Sequence, residues 1–257
     1  MTESSAAFGD VTVTVAEAHV AEVEMHRPPA NYFDSVLLSG VVEAVDWAAA
    51  AGARAVVLCS EGRHFCAGLD FGSTEKPDPE ALATLYGVAR SLVDSPLPIV
   101  VAVQGSAIGG GMGLALAGDF RVAAPASRFA ANFARLGFHQ GFGISLTLPA
   151  TVGRQNALDL LTTGRRIDGD EALAIGLCDR LDDDPRAGAR CLATEIAASA
   201  PLAVRSIRRT LRADVVGGFA AMVDHERAEQ LRLMETADFR EGIAASMERR
   251  PPEFTGE

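Results

Sequence analysis

Two glycine-rich segments follow apolar runs and are the features best suited to do chemistry. The first, Phe65 to Asp70, comes after the run 55–59, and the second, Gly105 to Gly113, comes after the run 99–103. Because parallel strands end at a common edge of a sheet, we expect both segments at the edge where α/β proteins bind ligands. Glycines leave backbone N–H groups uncovered, and two such donors directed at one oxygen would form an oxyanion hole. The alternative is that the glycines only permit tight turns and close helix–strand packing.

Several other kinds of site are excluded because their motifs are missing. The run 109–113 does not fit the dinucleotide motif G-x-G-x-x-G, since Leu114 or Leu116 falls where the last glycine should be. The chain has no GKS or GKT phosphate loop, no HExxH and no G-x-S-x-G. The five histidines are dispersed, and the acidic turn 182–184 is typical of a solvated loop. We therefore expect no metal site.

Composition narrows the classes of partner. The 257 residues include 23 basic and 34 acidic side chains, for a net charge of −11, and they contain no basic run. Nucleic acid is therefore not an expected partner. No apolar stretch reaches the ~18 residues of a membrane span, and the first ten residues lack the pattern of a signal peptide. The four cysteines form no CxxC pair, which is typical of reduced thiols in a cytoplasmic protein.

Hydrophobic patterning predicts an α/β fold with a helical C-terminal part. Asp34 is expected to cap a helix that runs to about residue 51, and Asp78 a helix that runs to about residue 95. The remaining predictions are strands at 11–15, 20–25, 55–59, 98–103, 120–123 and 128–130, a turn at 105–113 with a short helix to about 118, helices from Leu148 onward and a last helix at 237–249. We divide the chain into a core domain, 1–200, and a C-terminal helical region, 201–257.

Five segments resemble, in order, the motifs of the crotonase (enoyl-CoA hydratase/isomerase) superfamily. They are Arg27-Pro28-Pro29-Ala30-Asn31, Phe65-Cys66-Ala67-Gly68-Leu69-Asp70, Gly105 with Ile108-Gly109-Gly110-Gly111-Met112, Ala200-Pro201-Leu202-Ala203-Val204, and Asp238 to Ala245 followed by Arg249-Arg250-Pro251-Pro252. The resemblance covers nearly the whole chain. It implies a spiral of ββα units whose C-terminal helices assemble a homotrimer or a dimer of trimers.

The resemblance also implies a ligand, an acyl-CoA thioester, with coenzyme A as part of the substrate and no separate cofactor. The backbone N–H groups of Leu69 and Gly110 would bind the thioester carbonyl oxygen, where they would stabilise the negative charge of an enolate. Ala67 would line the adenine side of coenzyme A, Gly109 would contact substrate, and Asp70 would fix its loop. Because the net charge opposes a polyanionic ligand, nearby cations must offset it, and the candidates are Arg27, Arg63 and His64.

The chain departs from the family's hydratases where a proton must be moved. By the resemblance, the two hydratase glutamates fall on Gly113 and Phe133, and the aspartate of related isomerases and dehalogenases falls on Gly141. None of these residues can transfer a proton. We therefore expect isomerisation, or C–C cleavage of a β-dicarbonyl compound, instead of the hydration reaction that two glutamates catalyse.

The segment 136–143, which contains Gly141, has one titratable side chain, that of His139, and this is the candidate base. The alternative is that His139 is a loop residue whose ring forms a hydrogen bond with the backbone. Phe133 and Phe138 indicate an apolar acyl pocket, while Tyr32 and Tyr86 either lie near it or serve packing. The leading hypothesis is an enoyl-CoA hydratase/isomerase-like enzyme that acts through the oxyanion hole. The alternative is an acyl-CoA binding protein that has lost its proton-transfer groups.

Overall fold

The computed structural model describes residues 4–16, 18–70 and 79–257. Within them, the strands are β1 (Ser4–Phe8), β2 (Val11–Val15), β3 (Val20–Met25), β4 (Ala55–Ser60), β5 (Ile99–Val103), β6 (Ser106–Ile108), β7 (Phe120–Ala123), β8 (Arg128–Ala130), β9 (Arg166–Asp168) and β10 (Arg180–Leu181). The helices are α1 (Ser35–Ala50), α2 (Pro79–Val93), α3 (Gly110–Ala117), α4 (Ile144–Val152), α5 (Arg154–Thr163), α6 (Gly169–Ala174), α7 (Pro185–Ala197), α8 (Pro201–Leu211), α9 (Ala213–Leu233), α10 (Ala237–Glu248) and a 3₁₀ helix at Asn132–Leu136. Asp78, expected to cap α2, lies outside the described residues.

The strands form two sheets, and the chain passes repeatedly from the larger to the smaller. The larger sheet has the order β1-β2-β3-β4-β5-β7-β10, parallel from β3 onward, and the smaller has the order β6-β8-β9. After β4 the chain pairs at Cys66 with Ala107 of β6, while β5 is followed by β6 and β7 by β8. Each passage then leads into helical structure. This repeated path is the expected spiral of ββα units.

The central strands of the larger sheet are buried on both faces, which explains their continuous apolar runs. Every residue of β4 and β5 is buried. One face packs against Leu37, Val41 and other apolar residues of α1 to α3, and the opposite face packs against Ala189 and Ala193 of α7. The strand ends that lead into the two glycine-rich segments are therefore held by packing on both sides.

The start of α1 is confirmed. The Asp34 carboxylate accepts a hydrogen bond of 2.8 Å from the Leu37 amide, as an N-cap residue does. Leu37, Leu38 and Val41 are buried on the helix face that the spacing indicated.

The structure corrects the sequence-based elements in three places. A further strand, β1, precedes β2 and pairs with it. The segment 105–113 is not one turn, because it contains β6, and α3 already begins at Gly110. The region after Leu148 includes β9 and β10, which are too short to show a strand periodicity.

The division at residue 200 stays a prediction, but the C-terminal segment does more than cover the surface. Gln230 of α9 and Ile243, Ser246 and Met247 of α10 line the central cavity described below. None of the helices in the described ranges combines the length and apolar character needed to cross a membrane.

Candidate functional site

The two glycine-rich segments lie side by side. The Cys66 amide donates to the Ser106 carbonyl at 3.0 Å, and the Ile108 amide donates to the Cys66 carbonyl at 3.1 Å. A Cβ atom on Gly111 would collide with the Cys66 carbonyl oxygen. Glycine is therefore required at 111 for the two segments to lie this close together. This agrees with the prediction that the glycines permit close packing.

Gly68 is the point where the first segment meets the start of α3. It has φ +87, and a Cβ atom there would lie 3.1 Å from the Gly110 nitrogen and 3.0 Å from the Ile108 carbonyl oxygen. Within the part of the chain that is described, no hydrogen bond is donated to the protein by the Leu69 or the Gly110 amide. The Gly110 amide belongs to the first turn of α3, where helical N–H groups have no partner inside the helix. Among the described residues, two adjacent segments thus each offer a backbone N–H group that donates to no other protein group.

Both donors border one cavity of about 400 Å³. Its lining includes seven of the eight predicted site residues, namely Ala67, Leu69, Asp70, Gly109, Gly110, Phe133 and Phe138. The structure therefore brings together residues that are up to 71 positions apart in the sequence, from Ala67 to Phe138.

Aromatic rings form much of the wall beyond the two amides. Phe33 and Phe142 have ring centroids 5.3 Å apart, and Phe133 and Phe138 have centroids 5.5 Å apart. All four line the cavity and are buried. These rings can hold an apolar or flat group next to the amides.

His139 is the predicted site residue that the structure does not bring to this cavity. Its Nδ1 lies 2.8 Å from the Gln140 carbonyl oxygen, and its ring packs edge-on against His225 with centroids 5.9 Å apart. It is not among the residues that line the cavity. The prediction of His139 as a base therefore lacks the required approach to substrate, and the position matches the alternative of a histidine bonded to backbone.

Gly113, Phe133 and Gly141 occupy the positions at which relatives are expected to have a carboxylate, and their surroundings differ. A Cβ atom on Gly113 would lie 2.7 Å from the Phe142 Cβ atom, so the space for a side chain at 113 is filled. Phe133 presents a ring to the cavity. At Gly141, a Cβ atom would collide with the Tyr86 hydroxyl oxygen and would lie 2.5 Å from Gln230 Nε2.

Tyr86 and Gln230 are a polar pair in the cavity wall that sequence reasoning missed as a pair. The Tyr86 hydroxyl donates to Gln230 Oε1 at 2.5 Å, and Gln230 Nε2 donates to the His139 carbonyl at 3.0 Å. Burial raises the pKa of the Tyr86 phenol well above its usual range, and the nearby Glu226 carboxylate acts in the same direction. Tyr86 was open to either a pocket or a packing role, but no local pattern marked Gln230, which lies 144 positions away on α9.

Of the cations proposed to offset the ligand's charge, Arg27 is already paired. It contacts Asp10 at 2.7 Å and Asp34 at 2.9 Å. Arg63 is exposed, whereas Nδ1 of His64 is buried and has no hydrogen-bond partner among the residues that the structure describes. Arg166, which the sequence analysis did not single out, lines the cavity.

Three potential metal ligands, Glu22, Glu24 and Cys59, come together away from this cavity. Arg186 forms hydrogen bonds with both carboxylates, and Arg190 Nε donates to Glu22 at 2.5 Å. Burial raises the pKa of the Cys59 thiol, so that the sulfur keeps its proton. The group is therefore arranged as a network of ion pairs between β3 and α7.

Comparisons with known proteins agree with this architecture. The family model for enoyl-CoA hydratase/isomerase matches residues 15–257. Cyclohexa-1,5-dienecarbonyl-CoA hydratase of Thauera aromatica is 36% identical over 239 residues, which cover 91% of this chain and 92% of that protein.

The structure of an enoyl-CoA hydratase from Mycobacterium avium superposes with a TM-score of 0.85 at 30% identity, over 96% of this chain and 99% of that chain. An enoyl-CoA hydratase/isomerase from Pseudoalteromonas atlantica T6c gives a TM-score of 0.83 at 29% identity, over 96% of this chain and 100% of that chain. The chain therefore belongs to the enoyl-CoA hydratase/isomerase family of the crotonase superfamily.

Proposed function

We propose that the protein binds an acyl-CoA thioester and stabilises its enolate with the backbone N–H groups of Leu69 and Gly110. The observation that carries the proposal is that both amides border the same cavity and neither donates within the described part of the protein. An enolate places negative charge on the thioester oxygen, and fixed amides meet that charge without having to reorganise. The position of Gly110 at the start of α3 adds the positive end of the helix dipole.

The remaining cavity residues fit the two parts of such a ligand. Ala67, Asp70 and Gly109 lie on the glycine-rich segments and are proposed to contact the thioester and coenzyme A side, with Asp70 holding its loop. Phe133 and Phe138 are proposed to contact the acyl group. No role as a base is assigned to His139, because its ring lies against His225 instead of the cavity.

The proposed reaction is isomerisation or C–C cleavage of a β-dicarbonyl thioester. Gly113 and Phe133 supply no carboxylate, and the Phe142 side chain fills the space beside Gly113. A water molecule therefore lacks the pair of glutamates that would activate it and protonate the α-carbon. Isomerisation of a β,γ-enoyl thioester removes a proton from the α-carbon and adds one at the γ-carbon, and C–C cleavage adds water to the β-carbonyl, releases a carboxylic acid and protonates the α-carbon of the remaining thioester. Both reactions pass through an enolate, which the two amides would stabilise.

The donor role of Gly110 can be tested with two variants that differ in one N–H group. Proline is tolerated at the first position of a helix but has no N–H, whereas alanine keeps it. Because a Cβ atom at 110 would lie 2.6 Å from Phe33 Cζ, both variants are made in a Phe33→Leu background. With β,γ-enoyl-CoA and β-ketoacyl-CoA thioesters as substrates, Gly110→Pro should lower kcat/KM by about 100-fold or more relative to Gly110→Ala. Equal activity of the two variants would rule out the Gly110 amide as a donor.

Two further outcomes separate the alternatives. Hydration of a trans-2-enoyl-CoA by the wild type at more than about 1 per second would contradict the exclusion of hydration. Tight binding of all these thioesters without turnover of any would instead favour the non-catalytic acyl-CoA binding protein.

We also propose that α8 takes part in assembly of a homotrimer or a dimer of trimers. Leu202 and Leu211 are each 79% exposed and Ile207 is 59% exposed, which leaves an unusual apolar surface on one helix. Light scattering should give the mass of a trimer or hexamer for the wild type and a smaller mass for Leu211→Glu. A monomeric wild type would refute the proposal.

A further inference from the structure

The direction of the Leu69 N–H group is set by the peptide unit that it shares with the Gly68 carbonyl. The Gly68–Leu69 peptide bond is trans. In a planar trans peptide, the N–H and C=O bonds point in opposite directions. The Gly68 carbonyl accepts a hydrogen bond of 3.0 Å from the Phe33 amide. This hydrogen bond therefore also fixes the direction of the Leu69 N–H group.

The Gly110 N–H group, by contrast, is held by its own helix. It shares a peptide unit with the Gly109 carbonyl, which accepts hydrogen bonds of 3.0 Å from the Met112 amide and 3.2 Å from the Gly113 amide in the first turn of α3. The helix thus sets the direction of this donor locally. The other donor, on Leu69, depends on a residue that precedes α1 in the chain.

Asn31 attaches the segment 27–33 to the part of the chain that leads into the first glycine-rich segment. It is 0% exposed. Its Nδ2 atom donates to the Glu61 carbonyl at 2.8 Å and to the His64 carbonyl at 2.7 Å, while its Oδ1 atom accepts from the Arg27 amide at 3.0 Å. Both protons of the Asn31 amide group are therefore used, and removal of this side chain would take a donor from each of the two carbonyls.

The residues on either side of Asn31 bond directly to the first glycine-rich segment. The Ala30 carbonyl accepts from the Ala67 amide at 2.9 Å, and the Phe33 amide donates to the carbonyl of the next residue, Gly68. Asn31 itself has φ +49, a backbone conformation that asparagine adopts more readily than most other residues. The position of the Phe33 amide therefore depends on how residue 31 is held.

We propose that Asn31 is a positioning residue for the oxyanion hole. It holds the segment 27–33 so that the Phe33 amide fixes the Gly68–Leu69 peptide and directs the Leu69 N–H group towards the thioester oxygen. The inference rests on the proposed function, because it takes Leu69 as one of the two donors. Without the Asn31 side chain both donors are still present, but one of them is no longer fixed in advance. A donor that must reorganise stabilises an oxyanion less well.

The test measures the infrared C=O stretching frequency of butyryl-CoA that carries an isotope label in its thioester carbonyl. Butyryl-CoA has no double bond in its acyl group and no second acyl carbonyl, so it can neither isomerise nor undergo the proposed cleavage. Hydrogen bonds to the oxygen weaken the C=O bond, so binding to the wild type should lower the frequency. Asn31→Gly tolerates φ +49 and removes the three side-chain hydrogen bonds, and the frequency shift should be smaller than in the wild type. The protein is kept in excess, so that all the ligand is bound in each variant.

A second variant tests the link through Phe33. Replacement of Phe33 by the corresponding hydroxy acid converts its amide into an ester, which removes the N–H group and keeps the aromatic ring. The hydrogen bond to the Gly68 carbonyl is then lost while the Asn31 side chain stays in place. The frequency shift should again be smaller than in the wild type.

Ser95→Ala is the control for a general loss of stability. Ser95 is buried and lies before β5, at the opposite end of that strand from the second glycine-rich segment. Its hydroxyl donates to the Leu97 carbonyl at 2.9 Å and accepts from the Leu97 amide at 3.2 Å. This variant should have lower thermal stability but the same frequency shift as the wild type.

The outcomes separate the inference from the proposed function. A wild-type shift in Asn31→Gly or in the ester analogue of Phe33 would overturn the inference and leave the proposed function intact. A shift reduced equally in Ser95→Ala would also overturn it, because any loss of stability would then loosen the donor. If butyryl-CoA does not bind to the wild type, or binds with no change in its C=O frequency, the proposed function itself fails.

Discussion

The Phe142 Cβ atom lies 2.7 Å from the point at which a Cβ atom on Gly113 would stand. Contacts under 3.0 Å of this kind require one side to move. Phe142 has φ +63, its ring packs on Phe33, and it follows Gly141 in the loop that frames the cavity. The absence of a carboxylate at 113 is therefore part of the packing and is not simply a missing side chain.

Gly113→Ala should destabilise the protein by about 1–3 kcal/mol, because the added methyl group overpacks the contact with Phe142. Urea denaturation measures the free energy of unfolding. Gly87→Ala is the control, since Gly87 is exposed within α2 and a Cβ atom there meets nothing within 4 Å. That control should stabilise the protein by up to about 1 kcal/mol. A neutral or stabilising Gly113→Ala would show that the space beside Phe142 is open.

His139→Ala should leave catalysis nearly unchanged. The His139 ring packs against His225, and the carbonyl oxygen that binds Gln230 belongs to the backbone and remains in the variant. Positioned acids and bases contribute about 100- to 10,000-fold, so a loss of kcat below about threefold excludes such a role. A loss of about 100-fold or more, in a variant with wild-type thermal stability, would restore His139 as the base.

Phe133→Ala should shift the preference among acyl groups towards larger ones. The Phe133 ring lines the cavity, and its removal opens space next to the other aromatic walls. The ratio of kcat/KM for a cyclic acyl-CoA to that for a short linear one should rise by about tenfold, a size typical of apolar pockets that differ by a few methylenes. Phe239→Ala is the matched control, because Phe239 packs on Phe138 behind the wall and does not line the cavity. An equal shift in both variants would mean that Phe133 acts only through packing.

The ion pairs between β3 and α7 should make the protein less stable in acid. Burial opposes ionisation of Glu22, but hydrogen bonds from Arg190 and Arg186 outweigh it and hold the pKa of this carboxyl below its usual range. A carboxyl whose pKa is lower in the folded than in the unfolded protein contributes stability above the unfolded value. That contribution is lost as pH falls from the unfolded pKa, near 4.5, through the folded one.

Arg186→Met should therefore flatten the dependence of the free energy of unfolding on pH below about pH 5. Chemical denaturation at successive pH values measures this slope. The control is Arg180→Met. Arg180 pairs with Glu195, an exposed residue of α7, which is also the helix that carries Arg186. Exposed pairs contribute little, so its slope should stay close to that of the wild type. An unchanged slope in Arg186→Met would show that the network is not the source of acid sensitivity.

The sequence alone determined those features that depend on local pattern and turn chemistry. Asp34 was identifiable as a helix cap because its side chain type and the apolar spacing after it are local signals. The two glycine-rich segments were identifiable because each follows a continuous apolar run. Their placement in one cavity followed from the rule that parallel strands end at a common edge.

Only the tertiary structure decided which side chains face the cavity. Tyr86 and Gln230 lie 144 positions apart on different helices, and no local signal relates them. His139 lies in a loop next to the cavity-lining residue Phe138, but its ring packs against His225 of α9. The physical reason is that periodicity fixes which face of an element is buried, whereas the orientation of one side chain is set by contacts with elements remote in the sequence.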